Sequence, residues 1–139
     1  MKQVEIDAKK RTEQRIERQK VADKYRTIGQ KAFDNKEYEK ALVEYDKAIA
    51  EVRDQPILYT NRALILLRLG LYDQVLSDCE KSIRLDKDNL YPHLYMAHAI
   101  HCLGDVDEAQ EYIEELKVKY PEKVKVIDTY AHFNDDEFS

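Results

Sequence analysis

Between Ala22 and Lys123, apolar and small residues return at the same offsets every 34 positions. Gln30-Lys31-Ala32-Phe33 leads through Tyr38-Glu39-Lys40-Ala41 to Tyr45 and Ala48. In the same register Leu64 leads through Tyr72 to Val75 and Cys79 to Ser82, and His98 through Val106 to Ala109 and Ile113 to Leu116. The chain therefore divides into units 22–55, 56–89 and 90–123, a period typical of stacked supersecondary units. Three glycines and three prolines punctuate the 139 residues. That is too few for the turns of a many-stranded sandwich or barrel, so the units are expected to be helical. Gly70 and Gly104 fall where a left-handed turn would join two helices, and Pro56 stands where a helix can open without its N–H. Beyond the third unit, Val124, Ile127, Tyr130 and Ala131 continue at helical spacing.

The units resemble tetratricopeptide repeats. That family places a large aromatic residue fourth, where Tyr25, Tyr59 and His93 stand, and a small residue eighth, where Gly29, Ala63 and Ala97 stand. Its twentieth place holds Ala41, Val75 and Ala109, and its twenty-seventh Ala48, Ser82 and Leu116. The resemblance implies an all-α, right-handed superhelical solenoid of three helix-turn-helix hairpins plus a C-terminal capping helix. Small residues would let paired helices approach, while Tyr38, Tyr45, Tyr72 and Cys79 would fill the core. The expected helices run near 22–35, 38–52, 56–69, 72–85, 90–103 and 106–119. A capping helix within 122–133 and a short acidic tail from Asn134 to Ser139 make up residues 124–139, because a repeat stack needs its last hairpin covered.

Charge adds a second division. Residues 1–26 carry nine Lys/Arg and five Asp/Glu, net +4, against fourteen and twenty-three in the remainder, net −9. Residues 1–21 are read as a basic helical extension, solvated because no large apolar residue lies between Lys9 and Arg15. The alternative is an arm for an acidic protein surface or for RNA, although RNA is not the expected partner. No apolar run approaches the ~20 residues that span a bilayer, and the charged N-terminus does not read as a signal peptide. A soluble, cytoplasmic protein with no membrane partner is expected, its two cysteines free thiols.

Catalytic chemistry is not visible in the sequence. There is no glycine-rich phosphate loop, no nucleophile with its base, and no cofactor motif. Asp86-Lys87-Asp88-Asn89 starts like a calcium loop, but Leu90 occupies the next ligand position. His98 and His101 share a helix face without the further ligands zinc needs. No enzyme, cofactor or metal site is expected.

The resemblance places ligand binding on the concave face of the first helices of the units. The groove residues it implies are Arg26, Gln30, Phe33, Ile57, Asn61, Leu64, Leu67, Arg68, Tyr91, Leu94, Tyr95 and His98, polar at one end and apolar at the other. Three-repeat members hold the acidic C-terminus of Hsp70 and Hsp90 in a two-carboxylate clamp. Its positions here hold Arg26, Gln30, Asn61, Tyr91 and Tyr95. Asn61 matches, Arg26 and Gln30 are polar substitutes, and tyrosines replace both cations of the third unit. Each lost cation removes a charge-assisted hydrogen bond of about 1.5–3 kcal/mol, together two or more orders of magnitude in affinity. A chaperone tail is therefore not the expected partner. An amphipathic helix or an apolar-anchored peptide of another protein is, unless the arm, the cap or a second copy covers the strip.

Within the family, Asp54-Gln55-Pro56-Ile57-Leu58-Tyr59-Thr60-Asn61-Arg62-Ala63, Leu76-Ser77-Asp78-Cys79-Glu80 and the basic leader resemble a cytoplasmic factor that assembles axonemal dyneins for cilia. The expected function is a co-chaperone-like adaptor. A structural self-association module forming a homo-oligomer and an RNA binder using the basic arm are the alternatives.

Overall fold

A computed structural model describes residues 2–133 of the chain. The expected tail from Asn134 to Ser139 lies outside the described residues. Among the described residues the elements are helical: α1 (Lys2–Asp34), α2 (Tyr38–Glu51), α3 (Pro56–Arg68), α4 (Tyr72–Leu85), α5 (Tyr91–Cys102), α6 (Val106–Lys119), a 3-10 turn Pro121–Lys123, and α7 (Val124–Tyr130). Each helix packs chiefly on its neighbours in the chain, with α3 also meeting α5, which is the contact pattern of a solenoid. None of the helices is long and apolar enough to cross a membrane.

The helix-to-helix turn inside each unit is the same motif three times. Gly70 (φ 74°) donates its N–H to Leu67 O, and Leu71 donates to Leu66 O at 3.0 Å. Gly104 (φ 101°) and Asp105 repeat this with His101 and Ile100. In the first unit Lys36 takes the left-handed position at φ 61°, while Glu37 donates to Ala32 O at 2.8 Å. These bonds satisfy the last carbonyls of the preceding helix.

Close approach of the paired helices follows from the small residues. Ala41, Ala48, Ala63, Val75, Ala97 and Ala109 are fully buried, and Tyr45 and Cys79 fill the core beside them. Gly29 carries the face on which the Tyr45 ring lies; a Cβ there would come within 2.8 Å of that ring. Tyr38 and Tyr72 are half-buried against the same clusters. Burial pushes the Cys79 thiol far up, so it is inert packing.

The first and last helices take their lengths from the local sequence. α1 runs unbroken for 33 residues, with residues 2–18 exposed. No glycine or proline precedes Gly29, and Gln3 to Asp7 and Gln19 to Asp23 bond along the helix surface. At the other end α7 is seven residues long, because Pro121 sets a 3-10 turn before it and Phe133 turns left-handed after it (φ 44°). Val124 follows Leu90 by 34 residues, so Ile127 and Ala131 occupy the fourth and eighth places of a truncated fourth unit. Ile127 is fully buried against the α5–α6 hairpin.

Candidate functional site

The candidate site is the face shared by α1, α3 and α5, and its two halves differ. In the first half, the Tyr45 hydroxyl rises from the core between α1 and α3. Asn61 Nδ2 donates to it at 3.1 Å, it donates to Gln30 Oε1 at 3.4 Å, and Gln30 Nε2 donates to Asp34 Oδ1 at 3.0 Å. Burial pushes the Tyr45 hydroxyl above its usual value, offset in part by the Asn61 bond and the nearby Arg26 charge. The hydroxyl thus stays protonated and fixes two groove amides. Beside it, Arg26, Gln30, Asp23, Thr27, Lys31 and Asp34 line an open cavity of about 590 Å³. Phe33 lies half-buried, edge-on to Tyr38, with the Arg68 guanidinium 5.6 Å from its ring centre. Ile57 and Leu64 are also half-buried, so they have apolar surface to offer.

The second half is closed. Leu94 is 0% exposed, His98 1%, Leu67 6% and Tyr95 9%. The covering groups come from the end of the chain: Tyr130 packs 5.8 Å from Tyr95 and 5.9 Å from His98, and Phe133 stacks 5.0 Å from His98 and 4.9 Å from His101. Burial drives the Tyr95 hydroxyl up to about 12. Tyr91, 51% exposed, lies 6.3 Å from Tyr95 and is the third-unit aromatic left at the surface. The expected apolar strip is thereby corrected: Leu94, Tyr95 and His98 form a packed layer against Tyr130 and Phe133, because α7 stacks where the first helix of a fourth unit would, and Leu67 is buried in the cluster that α3 forms with α4 and α5.

The scaffold aims these side chains. Arg62, next to Asn61, points away from the groove and binds Asp78 through two 2.7 Å bonds and Asp46 through one of 3.1 Å. One guanidinium so ties α2, α3 and α4, and Thr60 meets the Ser82 hydroxyl at 2.6 Å on the same interface. The Asn-Arg pair of the sequence motif is divided between groove and frame. At the second inter-unit connection, Asp86 Oδ1 accepts from Asp88 N–H and Asn89 Oδ1 from Tyr91 N–H, so that run shapes a turn. His98 and His101 both pack on Phe133, and among the described residues no group of three or more His, Cys, Asp or Glu side chains is placed to hold a metal ion.

Sequence reasoning missed the part played by three side chains. Tyr45 reads as core, yet a buried tyrosine needs a partner for its hydroxyl, and that requirement pointed towards the groove. Tyr130 and Phe133 read only as cap, although the 34-residue register carried through Ala131 places them against α5.

Comparison with known proteins agrees with the repeat fold. Residues 57–89 match the family model described as Tetratricopeptide repeat. Tetratricopeptide repeat protein 12 of Mus musculus is 34% identical over 125 residues, 88% of this chain and 18% of that protein. Hsp70/Hsp90 co-chaperone cns1 of Schizosaccharomyces pombe is 33% identical over 122 residues, 85% of this chain and 34% of that protein. The second TPR of Spaghetti (RPAP3), solved bound to the HSP90 peptide SRMEEVD, superposes with a TM-score of 0.72 at 27% identity, over 78% of this chain and 93% of that one. The chain spans less than a fifth of the mouse relative and about a third of the co-chaperone.

Proposed function

Because this chain belongs to the tetratricopeptide repeat family, we propose that it is a non-enzymatic adaptor holding a segment of another protein in the open half of its groove. The observation that carries the reading is the pairing of half-buried apolar side chains on α3, Ile57 and Leu64, with the amides of Gln30 and Asn61 fixed on the Tyr45 hydroxyl, beside a cavity of about 590 Å³ that Arg26 and Gln30 line from α1. A peptide or one face of an amphipathic helix finds there an apolar seat and a few oriented hydrogen-bonding groups. The similarity to a co-chaperone supports a chaperone-linked role, and the resemblance of residues 54–63 and 76–80 to a dynein-assembly factor extends the reading to a cytoplasmic role in assembling axonemal dyneins.

The groove does not take an acidic chaperone tail by the two-carboxylate clamp. Tyr91 and Tyr95 stand where that clamp has cations, and Tyr95 is committed to packing on Tyr130. Fluorescence anisotropy with the labelled peptide SRMEEVD should show no saturation at low-micromolar protein; saturation in that range would overturn this part of the reading. The adaptor function itself is tested by affinity capture with the wild type, Leu64→Asp and Val118→Asp, the last on an outer surface 83% exposed. Partners should be lost with Leu64→Asp and kept with Val118→Asp, with helical circular dichroism unchanged in both. Capture that survives Leu64→Asp would remove the groove as the site.

A further inference from the structure

We propose a second binding site on this chain, resting on the adaptor reading above: the cleft under the projecting part of α1 receives an acidic segment of the same protein partner. α1 overhangs the α2–α3 connection instead of leaving the body at Ala22. Arg15 pairs with Asp54 at 3.2 Å and Gln19 bonds Gln55 at 3.2 Å, so the helix and the connection form two walls. Between them lies a cleft of about 800 Å³, larger than the cavity at Arg26.

The charge on these walls is specific. Arg15 and Arg18 come from α1 and Arg53 from the connection, facing Glu51 and Asp54. Asp54 is engaged by Arg15, whereas Arg18 and Arg53 make no ion pair among the described residues. Arg53 is also held in place, since its carbonyl accepts the Tyr59 hydroxyl at 2.7 Å. A solvated helix face would carry cations on one element; here two uncommitted guanidinium groups line one cleft from two elements. Guanidinium groups so placed suit carboxylates. An acidic segment would also be kept off the rest of the chain, net −9, and drawn to the first 26 residues, net +4.

The cleft is continuous with the groove. At 100° per residue, Arg15, Gln19 and Arg26 lie within about 20° of one direction on α1, and Gln30 follows one turn later. Arg15 and Arg26 are separated by about 16 Å of helix, which an extended chain crosses in about five residues. The ligand this geometry selects passes Arg26 in the groove, where Leu64 offers its apolar seat, and carries an acidic run about five residues from the point beside Arg26.

The test uses the full chain and a fluorescein-labelled hexaglutamate peptide in anisotropy titrations at about 0.1 M salt. Arg18 and Arg53 are the residues to change, because no ion pair of the fold depends on them. The double variant Arg18→Glu/Arg53→Glu should weaken hexaglutamate by about tenfold or more, with Arg18→Lys/Arg53→Lys retaining most of it and hexaglutamine not binding at all. Leu64→Asp should leave hexaglutamate binding unchanged. An absence of saturable binding, or equal binding by the Glu double variant, overturns the proposal, while partner capture lost with Leu64→Asp would leave the adaptor reading standing. Tighter binding of a uridine hexanucleotide, lost in the same double variant, would assign the cleft to RNA and overturn it too. So would a dimer in light scattering that the double variant dissolves, since the occupant would then be a second copy.

Discussion

Around Arg26, Gln30 and Asn61 the groove presents a guanidinium and two fixed amides beside an open cavity; in the third unit the corresponding positions, Leu94, His98 and Tyr95, lie beneath Tyr130 and Phe133. The backbone register is the same in both halves. What differs is the next layer. Within the stack the layer after α3 is α5, which leaves Leu64 half-buried and Tyr91 exposed, whereas the layer after α5 is a short helix whose Tyr130, with Phe133 just beyond it, packs on α5. A repeat scaffold thus repeats its geometry without repeating its binding surface, and the end of the stack spends its apolar face on its own cap.

The largest expected effect breaks the closed half. Ile127→Ala removes the fully buried anchor of α7 and should cost about 2–5 kcal/mol in denaturant unfolding. Hydrogen exchange should then rise in α5 and α7 before it rises in α1; uniform loss across the chain would contradict a cap that seals one half only. Next in size is Gly29→Ala in the open half. The new methyl must displace the Tyr45 ring from a 2.8 Å approach, costing about 1–3 kcal/mol, and should shift the Asn61 side-chain amide resonances. A variant as stable as the parent would show that the ring does not depend on that glycine. Smaller still, Tyr45→Phe keeps the packing and deletes the hydroxyl between Gln30 and Asn61. About 0.5–1.5 kcal/mol should be lost by chemical denaturation, and the loss should be absent in an Asn61→Ala background carrying Gln30→Ala.

Acidity separates the halves with the least force. His93, on α5, bonds the Tyr112 hydroxyl, and burial, with Lys119 nearby, holds its imidazole below the usual histidine value. The unfolded chain then takes up a proton first as pH falls. This contribution is complete above about pH 6.5 and declines as pH drops below it towards the lowered folded value. Melting between pH 7 and pH 5 should show this decline in the parent and a flatter profile in His93→Phe. A slope unchanged by the substitution would place the titrating group elsewhere.

How much of the molecule is legible in its sequence depends on which interaction decides each feature. Gly70 and Gly104 announce left-handed turns because few other residues favour that conformation, while Lys36 shows its turn only through its place in the register. The small residues Ala41, Ala63 and Ala109 mark the helix contacts by their spacing alone, since a period of 34 with a small residue at fixed places has few physical readings. The candidate site is only half legible. Arg26, Gln30 and Asn61 face the groove because the repeat geometry directs them there. Leu94, Tyr95 and His98 share that geometry, but their exposure depends on Tyr130 and Phe133, whose seat the register gives and whose ring contacts are tertiary. The length of α1 follows from helix propensity, yet its cleft requires Arg15 and Gln19 to find Asp54 and Gln55 thirty-nine and thirty-six residues away.

The claim that ligand recognition belongs to the open half is tested most directly by backbone amide NMR, adding a captured partner segment to the isotopically labelled chain. The account predicts that the largest shift changes fall on α1 from Asp23 to Asp34 and on α3 from Ile57 to Leu64, with α7 and the buried face of α5 little changed. Largest changes at Tyr95, His98, Tyr130 and Phe133 would contradict it, because the cap would then have to leave its layer for the ligand to bind.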